Sequence, residues 1–148
     1  MGGQPEVESW LWKAERWSPL LNARLQYAVK RPWRTGVLNM LSPQRRRTEY
    51  RINLSLTDYI KVVFDRTGKE IVQFTVQYLA NIEEEWQPIV RFDTAHGRPH
   101  IDISHPDGSQ ERQELPFDNY NTALSYAIHH VKTRWQFYRE RYERWKHG

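Results

Sequence analysis

The residues best suited to acid–base chemistry are concentrated between Arg91 and His105. Three of the six histidines of the chain fall in this stretch, together with two aspartates and two arginines. A histidine held by a carboxylate keeps one tautomer and gains basicity, and a neighbouring arginine stabilises developing negative charge. A base, an acid and a cation are what a metal-independent ribonuclease needs. The candidate catalytic residues are Asp93, His96, His100, Arg91, Arg98 and Asp102.

A β-hairpin would gather these side chains on one face of a sheet. Residues 90–93 and 100–103 both alternate apolar with ionisable side chains. Because strand side chains alternate between faces, pairing Phe92 with Ile101 puts the apolar residues on one face and four ionisable residues on the other. That single register predicts Asp93 opposite His100 and Arg91 opposite Asp102. His96 and His100 would then be the acid–base pair, with Arg91 or Arg98 as the anion clamp.

Two other interpretations of the same residues stay open. The charged side chains could form cross-strand ion pairs on a solvated sheet face, each worth about 0.2–1 kcal/mol. Alternatively, His100 and Asp102 could bind a metal ion together with His96 or His105. Since no standard metal motif has this spacing, we assign no metal and no other cofactor to the chain.

The surrounding sequence predicts an α+β fold. From residue 49 the hydrophobic period is two, which is typical of strands. The predicted strands are residues 49–56, 58–65, 70–79, 86–93, 99–105 and 110–115, a five- or six-stranded antiparallel meander over 49–115 with one buried face. Asn119 then caps a long C-terminal helix over 119–146, in which apolar residues recur every three or four positions.

This helix would be about 42 Å long, which exceeds the expected reach of one small sheet. Its distal aromatic residues therefore predict an interaction surface, covered by the N-terminal helices or by a second chain. These residues are Trp135, Tyr138, Tyr142 and Trp145. On the same helix His130 lies off the apolar stripe and is predicted to be solvated, whereas His129 is predicted to pack.

Charge is partitioned along the chain. Residues 1–48 carry nine Lys/Arg against three Glu, a net +6, and we predict that they form a helical basic arm separate from a domain at 49–148. Residues 49–118 carry seven against thirteen, a net −6, and residues 119–148 carry six against two, a net +4. Basic ends favour a nucleic acid or an acidic protein surface, although they could also dock on the acidic middle. The candidate nucleic-acid contacts are Lys30, Arg31, Arg34, Arg45, Arg46 and Arg47.

Composition excludes several classes of protein. The chain has no cysteine, which excludes disulfides, thiol catalysis and cysteine-ligated zinc. No apolar run approaches the ~18 residues of a membrane span, and the N-terminus lacks the features of a signal peptide. We expect a cytoplasmic protein with no membrane partner.

Residues Phe92 to His100 follow the pattern aromatic-Asp-x-Ala-His-Gly-x-x-His. In this stretch the chain resembles a group of small prokaryotic proteins, some of which look like TumE-type toxins of toxin–antitoxin modules. The resemblance extends over about residues 58–145, as a meander followed by one helix. Toxin families of this kind commonly act on RNA or on translation, so the resemblance implies an action on RNA more than on DNA.

These observations lead to two expectations of different classes. The first is a toxin-like or defence-associated prokaryotic protein that acts on RNA, with metal-independent endoribonuclease chemistry carried by the His/Asp residues. The second is a non-catalytic binding subunit of an oligomer or a larger complex, which makes its contacts through the basic arm and the aromatic helix. Enzyme and binding module both stay open at this point.

Overall fold

A computed structural model describes residues 42–148 of the chain. They form an antiparallel sheet and one α-helix, an α+β fold as predicted. The elements are β1 (Arg45–Asn53), β2 (Asp58–Thr67), β3 (Glu70–Ile82), β4 (Glu85–Asp93), a 3₁₀ turn (Ala95–Gly97), β5 (His100–Ser104), β6 (Gln110–Glu114) and α1 (Tyr120–His147). Most of the predicted helical arm lies outside the described residues. Among residues 42–148, no helix combines the length and apolar character that crossing a membrane requires.

The six strands are hydrogen-bonded in sequence order, which confirms the predicted antiparallel meander. The hairpin register is also confirmed, because Phe92 lies opposite Ile101, Asp93 opposite His100 and Arg91 opposite Asp102. Phe92 and Ile101 are buried, as the alternation of apolar and ionisable residues required. The sheet face that carries the candidate residues is therefore the one that the sequence predicts.

The first strand begins earlier than expected and corrects the boundary of the arm. Arg45, Arg46 and Arg47, predicted to belong to the basic arm that ends at residue 48, are residues of β1. β1 is an edge strand, and charged side chains are common on edge strands because they discourage pairing with another chain. Because these three residues are all charged, the sequence shows no alternation of apolar and polar residues at the start of β1.

One face of the sheet packs against α1 and forms the core. Leu124 and Ile128 of the helix are fully buried, as are Val76 of β3 and Phe92 of β4. Truncating a side chain at such positions to alanine typically costs about 2–5 kcal/mol. The predicted cap is present, since the side chain of Asn119 accepts hydrogen bonds from the first turn of the helix.

The distal part of the helix is also largely buried. Tyr138 and Tyr142 are each 7% exposed, and Trp135 packs edge-on against Tyr78 of β3. Trp145 is 36% exposed and stacks on the ring of His105 at 3.9 Å. β3 has thirteen residues and spans about 44 Å, so the sheet reaches further along the helix than expected. The predicted cover by residues 1–41 lies outside the described residues.

A buried ion pair joins the helix to the sheet. Asp58 is 2% exposed and accepts hydrogen bonds from Arg139 at 2.8 Å and from the hydroxyl of Tyr78 at 2.7 Å. Ser55 and Thr57 donate to the same carboxylate. Burial alone would raise the pKa of Asp58, but these hydrogen bonds together lower it below its ordinary value. The pair holds the middle of α1 to the start of β2.

Candidate functional site

The sheet face opposite α1, which we call the open face, carries the predicted site. The strand registers place alternate residues of all six strands on this face. Six cationic side chains of these strands reach solvent on it: Arg45, Arg47, Arg51, Lys61, Arg91 and Arg112. Three carboxylates there, Glu49, Glu70 and Glu114, are also exposed.

Four of these arginines lie over buried aspartates. The aspartate side chains are 8–9% exposed, whereas those of the arginines are 48–62% exposed. The pairs are Arg45 and Arg47 with Asp65, Arg91 with Asp93, and Arg112 with Asp102. The negative charges are thus the inner layer and the positive charges the outer layer. A molecule that approaches the open face meets guanidinium groups first.

The opposite residues Asp93 and His100 bond to different groups. Asp93 accepts hydrogen bonds from the guanidinium of Arg91 and from the backbone N–H of Ala95. The Nδ1 of His100 lies 3.2 Å from the carbonyl oxygen of Arg98, and its Nε2 lies 3.4 Å from Oδ2 of Asp102. Both ring nitrogens of His100 therefore face oxygen atoms of the protein.

Asp102 connects this histidine to the arginine layer. Arg112 donates two hydrogen bonds to Asp102, at 2.7 and 3.1 Å. Burial alone would raise the pKa of Asp102, but the hydrogen bond from Arg112 and the charges of His100, Arg112 and Arg91 lower it. The hydrogen bond and charge of Asp102 in turn raise the pKa of Arg112. Asp102 is consequently ionised at neutral pH and holds Arg112 in place.

The predicted catalytic set divides into two groups. Arg91, Asp93, His100 and Asp102 lie side by side on β4 and β5 as two pairs, Arg91 with Asp93 and His100 with Asp102, and the two aspartates and His100 are 5–6% exposed as whole residues. The alternative of cross-strand ion pairs on a solvated sheet face stays open, with the difference that the aspartates and His100 are buried and the arginines reach solvent. A substrate atom on the open face would meet Arg91 before it could reach these buried groups.

The second group lies at the tip of the β4–β5 hairpin, where His96 and Arg98 are exposed. His96 has a φ of 68°, a left-handed conformation that is uncommon for residues other than glycine. The turn is held by the hydroxyl of Tyr120, which donates to the carbonyl of Gly97 at 2.8 Å. Nη1 of Arg98 lies 3.5 Å from a carboxylate oxygen of Glu114. His96 is thus presented to solvent by an ordered turn.

The centre of the open face contains a depression of about 260 Å³. Its polar lining includes the cationic side chains of Arg47, Lys61 and Arg91 and the amides of Gln73 and Gln77. Three cations and two amides can bind an anion and hydrogen-bond to a polar ring system. The sequence alone does not single out Lys61, Gln73 or Gln77. They become visible only when β2 and β3 are aligned in their pairing register.

The six residues predicted to contact nucleic acid fall into three classes. Lys30, Arg31 and Arg34 lie outside the described residues. Arg45 and Arg47 are on the open face, where both pair with Asp65. Arg46 points to the opposite side of β1 and is exposed.

The prediction for the two adjacent helical histidines is wrong. His130 is half-buried: its Nε2 lies 2.8 Å from the hydroxyl of Tyr138 and its Nδ1 lies 3.3 Å from that of Tyr126. Burial is the main cause that lowers the pKa of His130. His129, predicted to pack, is exposed. The rings of Phe92 and His130 pack edge-on, with centroids 5.5 Å apart. The buried face of α1 therefore extends beyond the apolar stripe to include His130.

Metal binding was a third interpretation of the histidine-rich stretch. Within residues 42–148, no three His, Asp or Glu side chains are arranged to hold a metal ion.

Residues 45–148 match the family model described as Domain of unknown function (DUF7718), and the chain belongs to this family. The matched region runs from the first residue of β1 through α1, so it includes the whole open face. No curated protein and no solved structure matches the chain significantly.

Proposed function

We propose that this domain binds RNA through its open face. The observation that carries the proposal is the layer of exposed arginines over buried aspartates. The guanidinium group matches phosphate in geometry and can donate two parallel hydrogen bonds to it. A carboxylate beneath each guanidinium restricts its motion before the ligand arrives, which reduces the entropy lost on binding.

The resemblance of residues 92–100 to TumE-type toxins supports RNA as the polyanion. It also supports a setting in a toxin–antitoxin module or another prokaryotic defence system, which forms part of the proposal. The solvent-exposed layer of this face offers six cations against three carboxylates, Glu49, Glu70 and Glu114, and such a layer is suited to a phosphate backbone. An acidic protein would satisfy the same charges and is the rival ligand.

RNA cleavage is the second candidate function, and the exposure of His96 beside Arg98 favours it. In this scheme His96 removes the proton of the ribose 2′-hydroxyl, whose oxygen bonds to the phosphorus as the bond to the 5′-oxygen breaks. The departing 5′-oxygen takes a proton from water, and Arg98 stabilises the charge on the phosphate. Asp93 and His100 are positioning residues, because Asp93 holds Arg91 and His100 contacts the carbonyl of Arg98. Binding without cleavage would correspond to the non-catalytic binding subunit.

The salt dependence of binding tests the first candidate. Each phosphate contact to a single strand contributes about −0.7 to the slope of log K against log salt concentration. Six contacts would give a slope of about −4, and the double variant Arg47→Gln/Arg91→Gln should reduce its size to about −3. The control Arg134→Gln/Arg144→Gln removes two exposed arginines of α1 and should leave the slope unchanged. No binding at low salt, or equal slopes for both variants, would refute the proposal.

Incubation of labelled RNA with the full-length chain tests the second candidate. If the protein cleaves RNA, His96→Ala should abolish the products while RNA affinity changes by less than about twofold. Intact RNA after incubation with a wild-type protein that binds it would exclude cleavage and leave binding as the function. A wild-type-like rate for His96→Ala would exclude His96 as the proton-transfer residue.

A further inference from the structure

An exposed aromatic corner lies on the open face beside the cationic depression. The rings of Tyr59 and Trp86 meet edge-on, with centroids 4.9 Å apart. The guanidinium carbon of Arg51 lies 3.6 Å from the centroid of the Tyr59 ring. We call these three residues the aromatic corner. Tyr59 is two residues before Lys61 on the same face of β2, so the corner and the depression are about 7 Å apart along the strand.

The position of Trp86 is not explained by packing of the core. Trp86 is 45% exposed and lies opposite Asn81, on the side of the sheet away from α1. Its edge-on contact with Tyr59 leaves much of the indole ring in solvent. One face of the Tyr59 ring is already covered by Arg51, so Trp86 offers the larger free aromatic surface.

We propose that the aromatic corner is a stacking site for a base of single-stranded RNA, with Trp86 as the stacking ring. This inference rests on RNA binding at the open face. The adjacent depression, with Lys61, Gln77 and Arg91 in its lining, receives the phosphate and the base edge of the neighbouring nucleotide. Aromatic rings that stack bases, next to cations that follow the backbone, are the common design of proteins that bind single strands.

The chemistry of the corner favours a single strand over a duplex. In a duplex the bases already stack on one another, so an aromatic side chain cannot stack on them without unpairing. The major groove of an RNA duplex is too deep and narrow for side chains to read, so a ring on the face of a six-stranded sheet would not reach the bases there. Arg51 contributes a cation directly at the corner, which would contact the phosphate of the stacked nucleotide.

A comparison of Trp86→Ala with Trp86→Phe tests the stacking role. The probes are a short labelled oligouridylate and an RNA duplex of equal length, titrated with the full-length protein. Stacking on one ring is worth at least about a fivefold change in Kd, so Trp86→Ala should weaken oligouridylate binding by this factor or more. Trp86→Phe should retain most of the affinity, and duplex binding should change by less than about twofold. Phe137→Ala is the matched control, since Phe137 is a 49% exposed ring on α1.

An abasic oligonucleotide provides the second measurement, because it keeps the phosphates and lacks the bases. Wild type should bind it at least about fivefold more weakly than oligouridylate, and Trp86→Ala should bind the two with nearly equal affinity. If Trp86→Ala and Phe137→Ala bind oligouridylate alike, the stacking site is refuted. RNA binding that still depends on Arg47 and Arg91 would then remain intact. Failure of the wild type to bind any RNA would refute both proposals together.

Discussion

Replacement of Asp93 by asparagine separates two explanations of the RNA binding that we propose for the open face. If only net charge matters, loss of a carboxylate makes the face more positive and tightens binding. If Asp93 matters because it holds Arg91, the same change frees the guanidinium and weakens binding. We expect weakening. The fold should persist, because the side-chain oxygen of asparagine can still accept the hydrogen bond from the backbone N–H of Ala95.

The size of the effect follows from the exposure of the two side chains. The side chain of Asp93 is 9% exposed and that of Arg91 is 48% exposed. The guanidinium of Arg91 therefore reaches solvent, while the carboxylate that it pairs with is buried. Immobilising a flexible side chain on binding costs about 0.5–1.5 kcal/mol, which is roughly two- to twelvefold in Kd. The lost negative charge opposes this, but salt screens exposed charges, and such interactions are worth about 0–1 kcal/mol. We therefore expect Kd to rise by roughly threefold at physiological salt.

Fluorescence anisotropy of a labelled single-stranded RNA measures this change. Glu140→Gln is the control, because it removes the same charge from an exposed position on α1 and should leave Kd unchanged or slightly lower. Thermal unfolding of Asp93→Asn confirms that the fold is intact. If the folded Asp93→Asn protein binds RNA as tightly as wild type or more tightly, net charge explains the binding and the aspartates have no orienting role.

Four further predictions concern stability. Asp58→Ala should lower the free energy of unfolding by about 3–5 kcal/mol in urea, because it leaves the charge of Arg139 without its buried partner; a loss below about 1 kcal/mol would contradict this. Folding lowers the pKa of Asp58 below its ordinary value of 3.8. The ionised carboxylate therefore stabilises the fold fully above pH 3.8, and this stabilisation is lost as the pH falls through the lower pKa of the folded state. Acid unfolding of Asp58→Asn should accordingly show a shallower transition. Burial lowers the pKa of His130 below 6.5, so protonation favours unfolding and stability should fall as the pH drops below 6.5; urea titrations should show no such slope in His130→Gln. His100→Ala should cost about 1–3 kcal/mol, since it leaves a buried cavity and removes the ring that faces Asp102, and an unchanged melting temperature would show that the histidine has no structural role.

The sequence predicted the central hairpin correctly because one register satisfied two independent patterns. Pairing Phe92 with Ile101 placed the apolar residues of 90–93 and 100–103 on one face, and a shift by one residue would have exposed all of them. The start of β1 was harder to predict, because its first three residues are arginines and show no alternation of apolar and polar side chains. Their pairing with Asp65 depends on β2, which is distant in sequence.

The depth of the candidate site could not be predicted from the same pattern. A period of two indicates the face of the sheet on which Asp93 and His100 lie. The exposure of each side chain depends, in addition, on which residues of the neighbouring strands cover it. Arg112 of β6 is ten residues from Asp102 and was not in the predicted set. Similarly, His130 is covered in part by Phe92 of β4. The spacing of apolar residues along the helix sequence gives no sign of this contact with the sheet.

The buried aspartates of the open face require an explanation beyond stability. A buried ion pair contributes less to stability than apolar residues of the same volume often would. The open face accepts such residues, because Val63 lies on it between Lys61 and Asp65. The pair of Asp58 and Arg139 shows how a purely structural ion pair is built here: Arg139 is 25% exposed and also donates to the backbone carbonyl of Asn81.

The arginine side chains of the open face are more exposed to solvent than that of Arg139. Each is about half exposed or more, and the partner carboxylate lies beneath it. Exposed arginines of this kind add little to folding, because solvent screens their attraction to the carboxylates. Their ordering is of use to a ligand that arrives from solvent with negative charges of its own. Under the proposed function, the inner layer of aspartates supports the binding surface, and Asp93→Asn tests this role directly.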